Sequence, residues 1–313
     1  MNNKTLLIIF VALLAVYGIS QMGGGKKDRS FNTELVKLDT ASITRIVLYP
    51  KADDFAEVSL SRETDGWIAT KGNITTKALA NNVNSVLAQL DSIGVKRIAA
   101  KKPEKWAEYE VNEKEGTRLQ VYAGSKLLKD FIIGRFAFNQ QTRQATSFVR
   151  LTGEDEVFAV DGFLAMSLGQ SFDAFRNKEL IKLNKDDVMR LSYKILDNEF
   201  NLNKSGDAGW LMDGELPIDS TTMDNFISGL STVSGTTFVD DFDPVAKANT
   251  LQNSLTIKAN NLLEPLTIHC YFDASREKPF IIHSSLNKDA YFESDSTGIY
   301  NQLFLAANEV IAK

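Results

Sequence analysis

One cysteine, Cys270, and two histidines, His269 and His283, stand among 313 residues. A lone thiol closes no internal disulfide and builds no thiolate zinc site, and so few imidazoles leave little material for metal or acid–base chemistry. An excess of positive charge is missing too: 35 Lys plus Arg stand against 40 Asp plus Glu, a net charge of -5. No overall positive field exists to hold nucleic acid. P-loop, GxGxxG, HExxH, GxSxG and CxxC patterns are all absent. Nucleotide hydrolysis, zinc proteolysis and α/β-hydrolase chemistry therefore lack their minimum parts, and no cofactor is expected. What remains is 43% hydrophobic and 24% charged, enough apolar material for one large core or two modest ones and incompatible with a disordered chain.

The longest apolar run is at the N-terminus. Leu6 to Ile19 carries no charge and follows a short head with Lys4, the pattern of a Sec-type signal or a membrane anchor. With Thr5, Ser20, Gln21 and Met22 the segment reaches 18 residues, just long enough to span a bilayer, and no A-x-A cleavage box or lipoprotein cysteine accompanies it. We read residues 1–22 as an uncleaved anchor or signal segment, in contact with the inner membrane through residues 5–22, and 23–39 as a tether. Lys26, Lys27 and Arg29 after the segment outnumber Lys4 before it, which by charge alone favours a cytoplasmic C-terminus. A single apolar segment at the very start acts as a start-transfer signal, however, so the remainder is expected in the periplasm.

Beyond the tether the chain repeats itself. Asp65-Gly66-Trp67-Ile68 recurs as Ala208-Gly209-Trp210-Leu211 at a spacing of 143, Ser42 to Ile46 matches Asp187 to Leu191 at 145, and Asn73 to Thr75 matches Pro217 to Asp219 at 144. Pairs further on, from Pro103 with Pro244 to Val157-Phe158 with Tyr291-Phe292, drift to a spacing of 134, as loop deletions in one copy would produce. Each copy holds a run of helical periodicity, Leu79 to Ile93 and Met223 to Val233. Thr75 or Thr76 and Asp219 or Ser220 are placed to cap them. Closing helices are expected near Phe163 to Arg176 and Gly298 to Ile311. The expected class is α+β: two tandem duplicated lobes, residues 40–183 and 184–313, each a mostly antiparallel sheet with one long and one closing helix. Trp67 and Trp210 are read as core.

Several of these segments together resemble a known family. They are the strand leading to a Gly-Trp pair, the segment Trp106-Ala107-Glu108-Tyr109-Glu110-Val111, the strand Phe131-Ile132-Ile133-Gly134, and Ser147-Phe148-Val149-Arg150 closing on Val157-Phe158-Ala159-Val160. Over roughly residues 40 to 240 they are similar to the bacterial family described as domain of unknown function 4340. The resemblance implies an envelope protein with an N-terminal membrane segment, of a kind often encoded beside an ABC transporter of the gliding-motility auxiliary type. It carries no catalytic residues over. The family's usual Gly after the tyrosine is Glu110 here, which puts the local turn in question.

Independently of the family, the hairpin expected from Leu266 to Phe272 and Pro279 to Ser285 sets His269 opposite His283 on one face, with Cys270 on the other. Two imidazoles without a third donor make a weak metal candidate, and a structural cross-strand pair is the plainer reading. Charge is also divided unequally. Residues 30–183 hold 21 basic and 20 acidic side chains, whereas 184–313 hold 10 and 19. Lys101 and Lys102 before Pro103 correspond to Asp240, Asp241 and Asp243 around Pro244, which points to a charge-complementary contact between lobes or, as self-association, between copies. Three functions follow as expectations. The first is a non-catalytic accessory to ABC transporter subunits; the second is a binding module for an envelope glycan, lipid or peptide in a groove between the lobes; the third is a hydrolase built on His269 or His283.

Overall fold

The computed structural model describes residues 34–206 and 209–311. The segment 1–22 and the tether up to residue 33 lie outside them, as does Ala208 of the second Gly-Trp motif. Among the described residues no helix is long and apolar enough to cross a membrane.

Strands dominate. The first half runs β1 Glu34–Lys37, β2 Arg45–Tyr49, β3 Val58–Glu63, β4 Gly66–Lys71, β5 Ile74–Lys77, helix α1 Ala80–Asp91, β6 Ser92–Ala100, β7 Thr117–Ala123, β8 Lys126–Asn139, β9 Gln144–Leu151, β10 Val157–Asp161 and helix α2 Leu164–Leu168. The second half runs β11 Glu179–Lys182, β12 Val188–Ile195, β13 Asn198–Lys204, β14 Trp210–Met212, β15 Leu216–Ile218, helix α3 Ser220–Leu230, β16 Thr232–Ser234, β17 Thr237–Phe238, β18 Leu251–Ala259, β19 Leu266–Phe272, β20 Phe280–Ser284, β21 Asn287–Ser294 and helix α4 Ala306–Ile311. One sheet has the order β1-β6-β10-β9-β8-β7-β2-β3-β4-β5 and the other β15-β14-β13-β12-β18-β19-β20-β21-β17, with β11 paired to β16 beside it. Read from the opposite edge, and with β11 and β16 set ahead of β17, the second order repeats the first, β16 and β17 together standing where β6 stands. The break between β16 and β17 falls at Gly235, whose amide donates to the Lys178 carbonyl at 2.7 Å.

This corrects the expected α+β class with a long helix in each lobe. The two principal helices have 12 and 11 residues, and antiparallel sheet is the main architecture. The reason is visible at Ile93, which the helical periodicity included. The helix stops at Asp91, and from Ser92 the β-branched residues Ile93, Val95 and Ile98 continue as strand β6, where alternation replaces the helical period. Thr75 and Thr76 likewise lie in β5 rather than capping, and α1 starts after Leu79 without a side-chain cap. Asp219 does cap α3, accepting from the Thr222 amide at 2.7 Å. The first closing helix is cut to five residues before Gly169, while the second continues from a π-helical turn, Asn301–Leu305, into α4.

Each sheet buries one face under its helices. One core gathers Val36, Ile46, Leu60, Trp67, Leu90 and Phe175, the other Leu180, Leu202, Trp210, Ile227, Phe292 and Phe304. The two tryptophans are core residues of their respective sheets.

Candidate functional site at the lobe junction

The chain between the two cores, Phe172 to Lys178, is where the halves meet. Phe172 and Phe175 belong to the first core and Leu180 to the second. Arg176 lies between them, buried. Its guanidinium donates to both carboxylate oxygens of Asp240, from Nη2 at 2.6 Å and from Nη1 at 3.0 Å, and to Asp173 at 3.1 Å. Its Cζ lies 3.6 Å from the centre of the Phe238 ring. A planar, delocalised cation is suited to both contacts at once: the fork matches the carboxylate and the face stacks on the aromatic ring.

Backbone bonds stitch the same segment to both sides. Ala78 bridges Arg176 in antiparallel fashion, the Leu79 amide donates to Phe175 at 2.8 Å, and Asn82 donates to the Ala174 carbonyl. From the second half, Asn287 donates to the Asn177 carbonyl at 2.7 Å and Ser284 to the Leu180 carbonyl at 2.5 Å. Beside these bonds lies a cavity of about 320 Å³, lined by Asn82, Arg176, Lys178, Glu179 and Ser234 among others. A smaller cavity of about 180 Å³ lies in the first lobe against Tyr49, Phe55, Glu113 and Arg118. Its polar groups are already engaged. Arg118 forks onto Asp130 at 2.6 and 3.0 Å, and the Tyr49 hydroxyl donates to Glu57 at 2.8 Å, with burial first and Glu57 second pushing that phenol up to about 12.

The residues singled out from sequence are dispersed. Asp240 pairs with Arg176. Asp241 accepts from Arg276 at 2.7 Å, which holds its carboxyl below the usual range. Asp243 accepts from the amides of Val245 and Ala246 in its own turn. Lys101 and Lys102 are exposed, and no ion pair joins them to the acidic run among the described residues. His269 and His283 are register partners, their ring centres 6.4 Å apart. His283 Nε2 is 3.2 Å from the Lys288 carbonyl, and His283 stacks on Tyr291 at 4.7 Å. Burial pulls both imidazoles below their usual value. No group of three ligand-type side chains gathers among the described residues.

Arg176 itself was not visible as a site. The signal was a second repeat, Glu34-Leu35-Val36-Lys37 with Glu179-Leu180-Ile181-Lys182 at the same spacing of 145. It forms β1 and β11, each with a Lys–Glu pair across one strand, at 3.2 and 2.6 Å. This places Arg176 at the joint.

Of the segments that carried the family resemblance, Trp106 to Val111 covers the outer face of the first sheet, packing on Ile132, Phe148, Val157 and Ala159 of β8, β9 and β10. Trp106 Nε1 donates to the Asp155 carbonyl at 3.0 Å, and Arg150, buried, stacks 3.8 Å from the Trp106 ring centre while donating to the Val111 carbonyl at 2.9 Å. Gly134 is required beneath it, because a Cβ there would fall on the Tyr109 carbonyl oxygen. Glu110 has φ 54°, the left-handed conformation a glycine would adopt without strain; the turn is kept without the glycine.

Fold and junction together define a two-lobed antiparallel β protein, its halves clamped by a buried arginine fork. The chain belongs to the family described as domain of unknown function (DUF4340), whose model matches residues 72–253. That span runs from the first lobe into the second and contains the cover, the strap Phe172 to Lys178 and Asp240. No curated protein and no solved structure matches the chain.

Proposed function

We propose that this protein is a non-catalytic accessory, held in the inner membrane by a single pass through residues 5–22, whose lobes stand in the periplasm against an ABC transporter of the gliding-motility auxiliary type. The observation that carries the reading is the state of the junction. Its most buried cation is committed to Asp240 and Asp173, and its amides and hydroxyls to backbone carbonyls. Groups so engaged hold two lobes in a fixed relation and are poorly placed to turn over a substrate. The transporter setting rests on the family resemblance.

The test is a tag after Lys313, crosslinking in intact cells and mass spectrometry of what co-purifies. Permease and ATPase subunits in near-stoichiometric yield are expected; a clean preparation without them overturns the reading. A periplasm-only reporter fused after Arg29 should be active, and a signal only from a cytoplasmic reporter overturns the placement.

The junction cavity favours a second reading, a binding module for an envelope glycan or peptide. Its volume suits a small polar group, and it lies where two lobes meet. A rise in melting temperature of the full chain with envelope extracts, lost in Asn82→Leu, would favour it.

A further inference from the structure

Strand β8 outruns its neighbour. Pairing with β7 ends at Ile133, and beyond Gly134 strand β8 continues with β9 alone on that side, from Phe136 opposite Ser147 to Asn139 opposite Gln144. On one face of this projecting ribbon Phe136 and Phe138 meet Phe163, with ring centres at 5.3 and 6.5 Å. Phe138, Phe163 and Met166 are 49%, 51% and 59% exposed. Three large apolar side chains therefore face water side by side, where a soluble surface ordinarily scatters them singly.

Charge sharpens the reading. Between Asp130 and Glu154 the chain carries three arginines, Arg135, Arg143 and Arg150, and no carboxylate. Arg150 is buried under the cover and Arg135, on the face of β8 opposite Phe136 and Phe138, lies over the Tyr109 and Phe148 rings of that cover, whereas Arg143 is exposed at the tip of the ribbon. A locally cationic aromatic ledge on a protein of net charge -5 fits an anionic surface that also accepts apolar side chains. Aromatic rings at the headgroup level with a basic side chain beside them are one way proteins sit at a bilayer interface.

Chain connectivity permits the contact. Glu34 pairs with Gly94, and the adjacent Val95 pairs with Val160, three residues before Phe163. Paired Cα atoms are about 5 Å apart, so Glu34 and Phe163 lie within about 25 Å of each other. Residues 23–33, which include Lys26, Lys27 and Arg29, reach about 40 Å at full extension.

We propose that the ribbon ledge of Phe138, Phe163 and Met166 inserts into the headgroup boundary of an anionic bilayer, with Arg143 at the ribbon tip against the lipid phosphates. The proposal rests on the membrane-anchored reading above. It gives the lobes a second attachment and so fixes how the first lobe is turned relative to the membrane.

The test uses the full chain in vesicles of phosphatidylethanolamine and phosphatidylglycerol. Cys270 is buried and leaves the chain silent to thiol labels. Met166→Cys, Phe138→Cys and, as an exposed reference in the loop between β18 and β19, Leu263→Cys each receive an environment-sensitive fluorophore. The first two are expected to shift to the blue and to be quenched several-fold more than the reference by lipid carrying a spin label near the headgroup, less so in an Arg143→Glu background. If all three labels stay equally open to aqueous iodide while the chain floats with the vesicles, the ledge proposal falls and the anchor stands. Shielding from iodide without lipid quenching, relieved by diluting the protein among vesicles, assigns the ledge to a second copy and also overturns it. A chain that does not float with the vesicles takes down both readings.

Discussion

Asp240 receives both arms of the Arg176 guanidinium, at 2.6 and 3.0 Å, although the two residues lie on opposite sides of the joint between the cores. Removing the carboxylate would leave a buried cation with only Asp173 as counter-charge. Asp240→Asn is expected to destabilise by about 1–2 kcal/mol: the guanidinium is buried and loses its main charged partner, while Asp240 itself is partly open to solvent, which screens the pair. Arg176→Lys should destabilise as well, because an ammonium cannot fork onto the carboxylate and stack on Phe238 together. Chemical denaturation of the full chain checks both. The double swap Lys101→Glu, Lys102→Glu should leave the midpoint where it is, because neither lysine has an ion pair among the described residues; a drop comparable to Asp240→Asn would favour the charge-complementary contact expected from the sequence.

Glu110 and Gly134 form a matched pair of predictions. Glu110→Gly removes left-handed strain at φ 54°, and the gain of about 1 kcal/mol is partly offset by the freedom glycine gains in the unfolded chain. The net expectation is a small stabilisation. Gly134→Ala instead drives a methyl into the Tyr109 carbonyl and should destabilise by about 3 kcal/mol. Thermal melts of the two variants should move in opposite directions.

Tyr193 stacks on Phe200 in the second core, and its hydroxyl is buried without a hydrogen-bond partner among the described residues. Burial pushes the phenol far up. Tyr193→Phe deletes an unsatisfied polar atom and keeps the ring, so it should be neutral or stabilising by up to about 1 kcal/mol. A clear loss of stability would mean that the hydroxyl has a partner.

Stability should fall in two steps as pH is lowered. His269 and His283 have pKa values below those of the unfolded chain. The unfolded state therefore takes up protons first, and stability present above pH of about 6.5 is lost as pH falls through the lowered folded values. His283→Gln should flatten that step. Carboxylates held low follow in more acid solution. Burial raises Asp130, but hydrogen bonds from Arg118, Gln120 and Thr152 outweigh it, so its contribution is present above pH of about 4 and lost below. Denaturation midpoints across pH separate the two steps.

What the sequence disclosed was mostly local and periodic. The Gly-Trp pair, the Asp219 cap and the pairing of His269 with His283 follow from alternation and turn chemistry, which act over a few residues. The length of the helices did not, because Val83, Val86, Leu87 and Leu90 keep a helical phase that Ile93 happens to continue after the backbone has changed to strand. Arg176 was hidden for another reason. Its partner is 64 positions away, and a buried ion pair leaves no periodic trace. Family resemblance pointed to Trp106 to Val111, Gly134 and Arg150 without saying why, and their shared cover over the first sheet is the physical reason.

A single strap of chain, Phe172 to Lys178, ends one core and starts the next, and Ala78, Gly235 and Asn287 grip it from both sides. The Arg176 fork and several short carbonyl bonds tie this strap to both lobes at once. Slack at the joint would have to break several of these bonds together, so the two lobes are expected to tumble in solution as one unit.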